Sequence, residues 1–158
     1  MVVCEHLVCE HLVCEHLVCE HLVCEHIVCQ HSQLRNGVSK MDYEFVTGTP
    51  ITEEEALALV AAMGFHGLAF DLDTPVDEEL HWHEFDSISW VIAGTGSFAD
   101  EHGNVVQVAP GCRLKAPAGW LHRNLAGPTV RIVLGTNLPG EQWTAPINKD
   151  PAERPALN

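Results

Sequence analysis

Gly111-Cys112-Arg113-Leu114-Lys115-Ala116-Pro117-Ala118-Gly119-Trp120-Leu121-His122 reads as a strand, a Pro-x-Gly turn and a second strand carrying a histidine. Upstream stands His81-Trp82-His83. Side chains alternate across a strand, so His81 and His83 share one face. A third imidazole then arrives from a different strand. Three imidazoles converging inside a β-barrel make a metal site, and the expected ligands are His81, His83 and His122.

The flanking sequence supports a β-rich frame. Short apolar stretches run from Phe65 to Asp73, Leu80 to Ala93 (a long strand or a bent pair), Ser97 to Asp100, Asn104 to Ala109, Cys112 to Ala116, Trp120 to Leu125 and Thr129 to Leu138. Turn residues separate them at Gly94-Thr95-Gly96, His102-Gly103-Asn104, Pro110-Gly111 and Gly127-Pro128. Many short strands at this spacing predict an all-β sandwich or barrel. One helix precedes them. Thr52 followed by Glu55 is a capping-box signature, so a helix is expected over Glu53 to Met63, stopped by Gly64. The Pro-rich tail after Pro139 is expected to be irregular.

Strand parity sorts the residues near the histidines. His81, His83, Phe85 and Ser87 share one face, and Glu84 and Asp86 share the other. Asp86 therefore reaches the metal only through a β-bulge. Trp120 and Asn124 share the parity of His122, so with Phe85 they are candidates for the substrate pocket. Ser87, Ser89 and Asp86 are candidates for contacts just outside the metal ligands. Trp82, Ile88, Trp90 and Ile92 form an opposite apolar face that needs cover, from the N-terminal helix or from a second copy of the chain. Cys112 reads as a small buried hydrophobe, and His66 and His102 as unrelated to the site.

The chain has 158 residues and a formal net charge of −14. That length suffices for one domain with a core. The acidity argues against nucleic acid and against an anionic membrane surface as partners. No apolar run is long enough to span a bilayer, and Glu recurs too often near the start for a signal-peptide core. A cytoplasmic location is expected.

Six of the seven cysteines fall in one repeat. Residues 3–31 hold six copies of Val-Cys-Glu-His-Leu or a near variant. A five-residue step turns a helix by about 140° net, so no apolar stripe forms. On a strand the odd period flips each residue type at every copy. Alternating Cys-x-His could hold metal as a tail. The near-identity of the copies favours a tandem duplication, giving a disordered extension or a mis-assigned start, with Met41 a sensible beginning. Residues 1–40 are thus expected to be an extension and linker, and 41–158 the folded domain. Only Cys112 remains in that domain, so no disulfide framework is expected.

The histidine passages resemble the two cupin motifs. His81-x-His83 with the following Gly94 resembles the first, and Gly111, Pro117, Gly119 and His122 resemble the second. Together they cover roughly residues 80–125. The resemblance implies a small jelly-roll barrel with a metal in its mouth, and such barrels often pair as homodimers. Within cupins, Pro117-Ala118-Gly119-Trp120-Leu121-His122-Arg123 is similar to the Pro-Ala-Gly-Ile-Tyr-His-Arg of acireductone dioxygenase. Arg131-Ile132-Val133 and Trp143-Thr144-Ala145, with Asn148 and Pro151, resemble its C-terminal strand and tail. Those enzymes bind Fe(II) or Ni(II) and cleave an enediol with O2.

The departures are specific. Ser87 stands where that family has its glutamate ligand, Ser89 where it has an arginine, and Ala126 where the motif has an asparagine. The helical insert before the histidine pair is absent. Serine is a poor ligand for Fe(II) or Ni(II). Three-histidine iron sites are known among cupin dioxygenases of thiols and diketones, so the resemblance still implies metal binding. The expectation is a metal-dependent, dioxygenase-like enzyme acting on a small organic substrate. Fe(II) or Ni(II) is the expected metal, with Mn(II) or Zn(II) as alternatives. The competing expectation is a non-oxidative cupin: an isomerase or a module that binds a small molecule or metal.

Overall fold

A computed structural model of the chain describes residues 43–156. The repeat and the linker expected over residues 1–40 lie outside the described residues. The chain enters through a short strand β1 (Glu44–Val46), then helix α1 (Glu53–Ala62). Seven strands follow: β2 (His66–Leu72), β3 (Ser87–Ala93), β4 (Gly96–Asp100), β5 (Val105–Val108), β6 (Arg113–Ala116), β7 (His122–Asn124) and β8 (Val130–Thr136). Two 3-10 turns, Gly140–Gln142 and Pro151–Glu153, punctuate the tail.

The strands form two antiparallel sheets, one ordered β1-β6-β3-β8-β2 and the other β5-β4-β7. Pairing is nested: β3 bonds to β8 and β4 to β7, so strands distant in sequence lie side by side. The expected all-β jelly roll with one short N-terminal helix is what forms. No helix among the described residues is long and apolar enough to cross a membrane.

The capping box is complete. Thr52 Oγ1 accepts from Glu55 N at 3.2 Å, and Glu55 Oε2 accepts from Thr52 N at 2.8 Å. The helix ends at Met63, and Gly64 takes φ +78°, which favours glycine. Ala56 and Val60 then pack onto Ile88, Trp90 and Val133, the outward face of β3 and β8. Gly135 permits this close docking: a Cβ there would stand 2.6 Å from Val60 Cγ1. The apolar face opposite the histidines is therefore covered within the chain. Trp82 is covered separately, by the tail, and its Nε1–H donates to the Asp150 carbonyl at 2.9 Å.

Three features refine the sequence reading. Of the two alternatives for Leu80 to Ala93, the bent pair is what forms. His81 and Trp82 make isolated bridges to His122 and Lys149, and the continuous ladder resumes only at Ser87. The chain bends there because each half bonds to a different neighbour. β1 was not foreseen, since three residues give too short an alternation to read. The tail has irregular backbone as expected, but it is docked: Trp82 and Lys149 exchange backbone hydrogen bonds at 3.3 and 2.9 Å.

Candidate metal centre

His81 and His122 exchange two backbone hydrogen bonds, each 2.9 Å. This reciprocal pair sets their side chains next to each other on one face. His83 lies two residues beyond His81, on the same face, and its carbonyl accepts from Gly119 N at 2.8 Å. The Pro-x-Gly turn is thereby tied to the histidine pair. Gly119 takes φ +80°, so the turn needs a residue free to adopt that backbone. The imidazole centroids are 4.6 to 5.1 Å apart. One ring nitrogen from each of the three lies within 4.8 Å of the others.

Each Nδ1 is committed to a backbone carbonyl: His81 to Glu79 at 2.9 Å, His83 to Ile147 at 3.1 Å, His122 to Trp120 at 3.2 Å. A carbonyl only accepts, so Nδ1 carries the proton in all three rings. That leaves Nε2 with its lone pair, the tautomer a metal requires. Aromatic walls hold the rings. Trp120 stacks on His122 at 4.4 Å and 6°, and Phe85 stacks on His83 at 5.1 Å and 3°. Trp143 from the tail backs Phe85 at 4.8 Å.

Burial lowers the pKa of His122 to about 3, helped by the neighbouring His83 and His81. Burial also lowers that of His83, opposed by its bond to the Ile147 carbonyl. Both imidazoles are neutral at neutral pH, as ligands must be. The donor set therefore fits a divalent ion of the borderline, nitrogen-preferring kind.

The triad opens on a cavity of about 380 Å³ between the two sheets, also lined by Phe85, Ser87, Ser89, Trp120 and Asn124. The parity reading thus places five of the six remaining candidates together. Asp86 is not among them. Its Oδ1 accepts from Ala118 N at 2.8 Å and its Oδ2 from Asn137 Nδ2 at 3.2 Å. No bulge turns it inward; it clamps the turn that delivers His122. Cys112 is buried among Val91, Val130 and Ile132, as a small hydrophobe. His66 and His102 are exposed and away from the triad.

Two functional candidates escaped the sequence reading. Glu78 lines the cavity, and its Oε2 accepts from Asn124 N at 3.1 Å and Asn124 Nδ2 at 2.8 Å. The same oxygen stands 4.0 Å from His81 Nδ1. Its only sequence signal is proximity, three residues ahead of His81. Lys149 is buried and donates to the Thr144 carbonyl at 2.7 Å and Thr144 Oγ1 at 2.6 Å. Glu84 accepts from the same threonine and lies 3.8 Å from the ammonium. Bonding to Thr144 lowers the pKa of Glu84. This clasp secures the tail beside His83.

No family model matches the chain, and no curated protein does. Solved structures with a similar arrangement exist. A cupin-2 domain protein from Shewanella frigidimarina is 18% identical, covering 44% of this chain and 67% of that one, with a TM-score of 0.39. A DUF861 family protein from Thermotoga maritima is 14% identical, covering 60% and 99%, with a TM-score of 0.44. A protein from Neisseria meningitidis is 20% identical, covering 46% and 73%, with a TM-score of 0.40.

Proposed function

We propose that this chain is a cupin-type metalloenzyme that acts on a small organic substrate through a divalent ion held by His81, His83 and His122. The observation that carries this is the three Nδ1–H groups, each committed to a backbone carbonyl, which leave three Nε2 lone pairs on one cavity. Fe(II) or Ni(II) suits the donor set, with Mn(II) or Zn(II) as alternatives. When bound, such an ion supplies Lewis acidity and a template for O2 and a bidentate organic substrate.

The chain's own groups do the rest. Ser87 and Ser89 offer hydroxyls to orient a substrate oxygen inside the cavity. Glu78, held by Asn124, is placed to take up a proton. Phe85 and Trp143 keep water from the His83 side. We favour a dioxygenase-like reaction on a substrate other than acireductone, because Ser87 stands where a carboxylate ligand is expected and Asp86 is engaged elsewhere.

A second reading is non-oxidative: an isomerase, a lyase or a binding module. Glu78 favours it, since a cavity carboxylate can move a proton without O2.

Elemental analysis of the full chain after dialysis tests the centre. Wild type should retain one more divalent ion per chain than the His81→Ala, His83→Ala double variant, in which the cysteine repeat is unchanged. Equal metal content would sink the proposal. Oxygen uptake by the Fe(II)-loaded chain with enediols, diketones and thiols separates the readings; none with any class favours the non-oxidative one.

A further inference from the structure

The cavity wall formed by the five-stranded sheet has a polar end and an apolar end, and the strand register shows where each lies. Ser87 is in register with Ala116, nearest the histidine segment. One step deeper, Ser89 pairs with Leu114 and Leu134, and Leu134 with Leu68. Deeper still, Val91 pairs with Ile132, and Ile132 with Phe70. All of these line the same cavity. Along this sheet the lining therefore turns from serine to apolar side chains away from the triad, while Thr74 and Ser97 add hydroxyls elsewhere on the wall.

The charges are equally one-sided. Among the described residues no lysine or arginine lines the cavity, and Glu78 is the single carboxylate. An anionic group at the deep end would be desolvated without a partner. A sugar would leave its hydroxyls unpaired against Val91, Ile132 and Phe70.

We propose that the cavity selects a ligand with one oxygen-bearing, chelating head at the histidine and serine end and an uncharged, apolar body reaching toward Val91, Ile132 and Phe70. Dicarboxylates, phosphorylated compounds and sugars are excluded. The position of the head rests on the metal reading above; the apolar body rests on the cavity alone. At about 380 Å³ the cavity lies within the range of about 300–1,000 Å³ usual for small-molecule sites.

Three hydroxamates with the same head test this on the metal-loaded full chain by calorimetry: acetohydroxamate, hexanohydroxamate and adipic monohydroxamate. Burying a methylene tightens binding by about fourfold, so hexanohydroxamate should bind at least about tenfold tighter than acetohydroxamate. The adipic compound, of the same length but with a charged end, should show no such gain. Equal affinity for all three overturns the proposal and leaves the metal centre standing. A metal-independent arm uses the neutral dye N-phenyl-1-naphthylamine on metal-free chain. Its emission should be enhanced in wild type and lost in Leu114→Asn, with circular dichroism confirming that the variant is folded. Dye binding without any hydroxamate binding would refute the metal reading and uphold the apolar class. No dye enhancement in wild type, or one unchanged by Leu114→Asn, overturns the apolar class.

Discussion

The Nδ1–H of His83 is bonded to the carbonyl of Ile147, 64 residues further along the chain. The tail is thus part of the candidate metal centre, although it supplies none of the three imidazoles. Trp143 backs the aromatic stack on His83, and Lys149 pairs with Trp82 through the backbone. Lys149 donates to Thr144 Oγ1, which in turn donates to Glu84, and this closes the clasp.

Loosening that clasp should be felt at the metal. Lys149→Met removes the bonds to Thr144 while keeping an apolar stem, and Glu84 retains enough exposure to be solvated. Partners that orient ligand histidines are worth about 10–100-fold in metal affinity. Competition with a chelator should show a loss in that range, with a melting temperature close to wild type. Unchanged affinity would mean that Ile147 does not need the clasp to hold His83.

Ser87 offers a gain-of-function test. Its side chain lines the cavity on the histidine face, where a carboxylate would join the imidazoles. Ser87→Glu should tighten binding of Fe(II) or Mn(II), which favour oxygen donors, on the order of tenfold. Chelator competition reads this directly, and a weaker site would show that the position is too far from the triad.

Stability should depend on pH in a defined window. The pKa of His122 is lowered to about 3 by burial and its histidine neighbours, and that of His83 is lowered by burial. An unfolded imidazole takes a proton near pH 6.5, so between that value and the folded pKa the unfolded state binds more protons. Metal-free chain should therefore be most stable above pH 6.5, as far as these groups are concerned, and lose stability as pH falls. Glu55, Glu84 and Asp100 also have lowered pKa values, but they act below the ordinary carboxylate range. Urea melts at pH 7.5, 6.5 and 5.5 should show the decline, and His122→Gln should flatten it. An equal slope in that variant would assign the effect elsewhere.

Gly135→Ala should destabilise the fold by about 1–3 kcal/mol, the usual cost of overpacking. The new methyl would meet Val60 Cγ1 at 2.6 Å, where α1 rests on the sheet. Thermal melts should show recovery when Val60→Ala is added. A neutral effect of the single change would mean that the helix shifts without cost.

The legible parts of the site are those set by strand alternation. His81, His83, Phe85 and Ser87 are separated by twos, and all four line the cavity even though the ladder breaks before Ser87. Asp86, one residue out of phase, faces away and clamps Ala118 and Asn137. Glu78 and Lys149 were not legible, because they belong to no periodic element.

From the sequence alone came the all-β frame, the capped helix, the three histidines and the sidedness of the serines. These follow from strand alternation, turn residues and a capping signature, all of them local properties of the chain. Only the tertiary structure decided that the tail braces His83, that α1 covers Ile88 and Trp90, and that the cavity wall on the five-stranded sheet turns from serine to apolar side chains. Those depend on which segments distant in sequence become neighbours. Ile147 and Gly135 carry no mark of such contacts in their own stretches of chain, because a carbonyl or a missing Cβ acquires its meaning only from what packs against it.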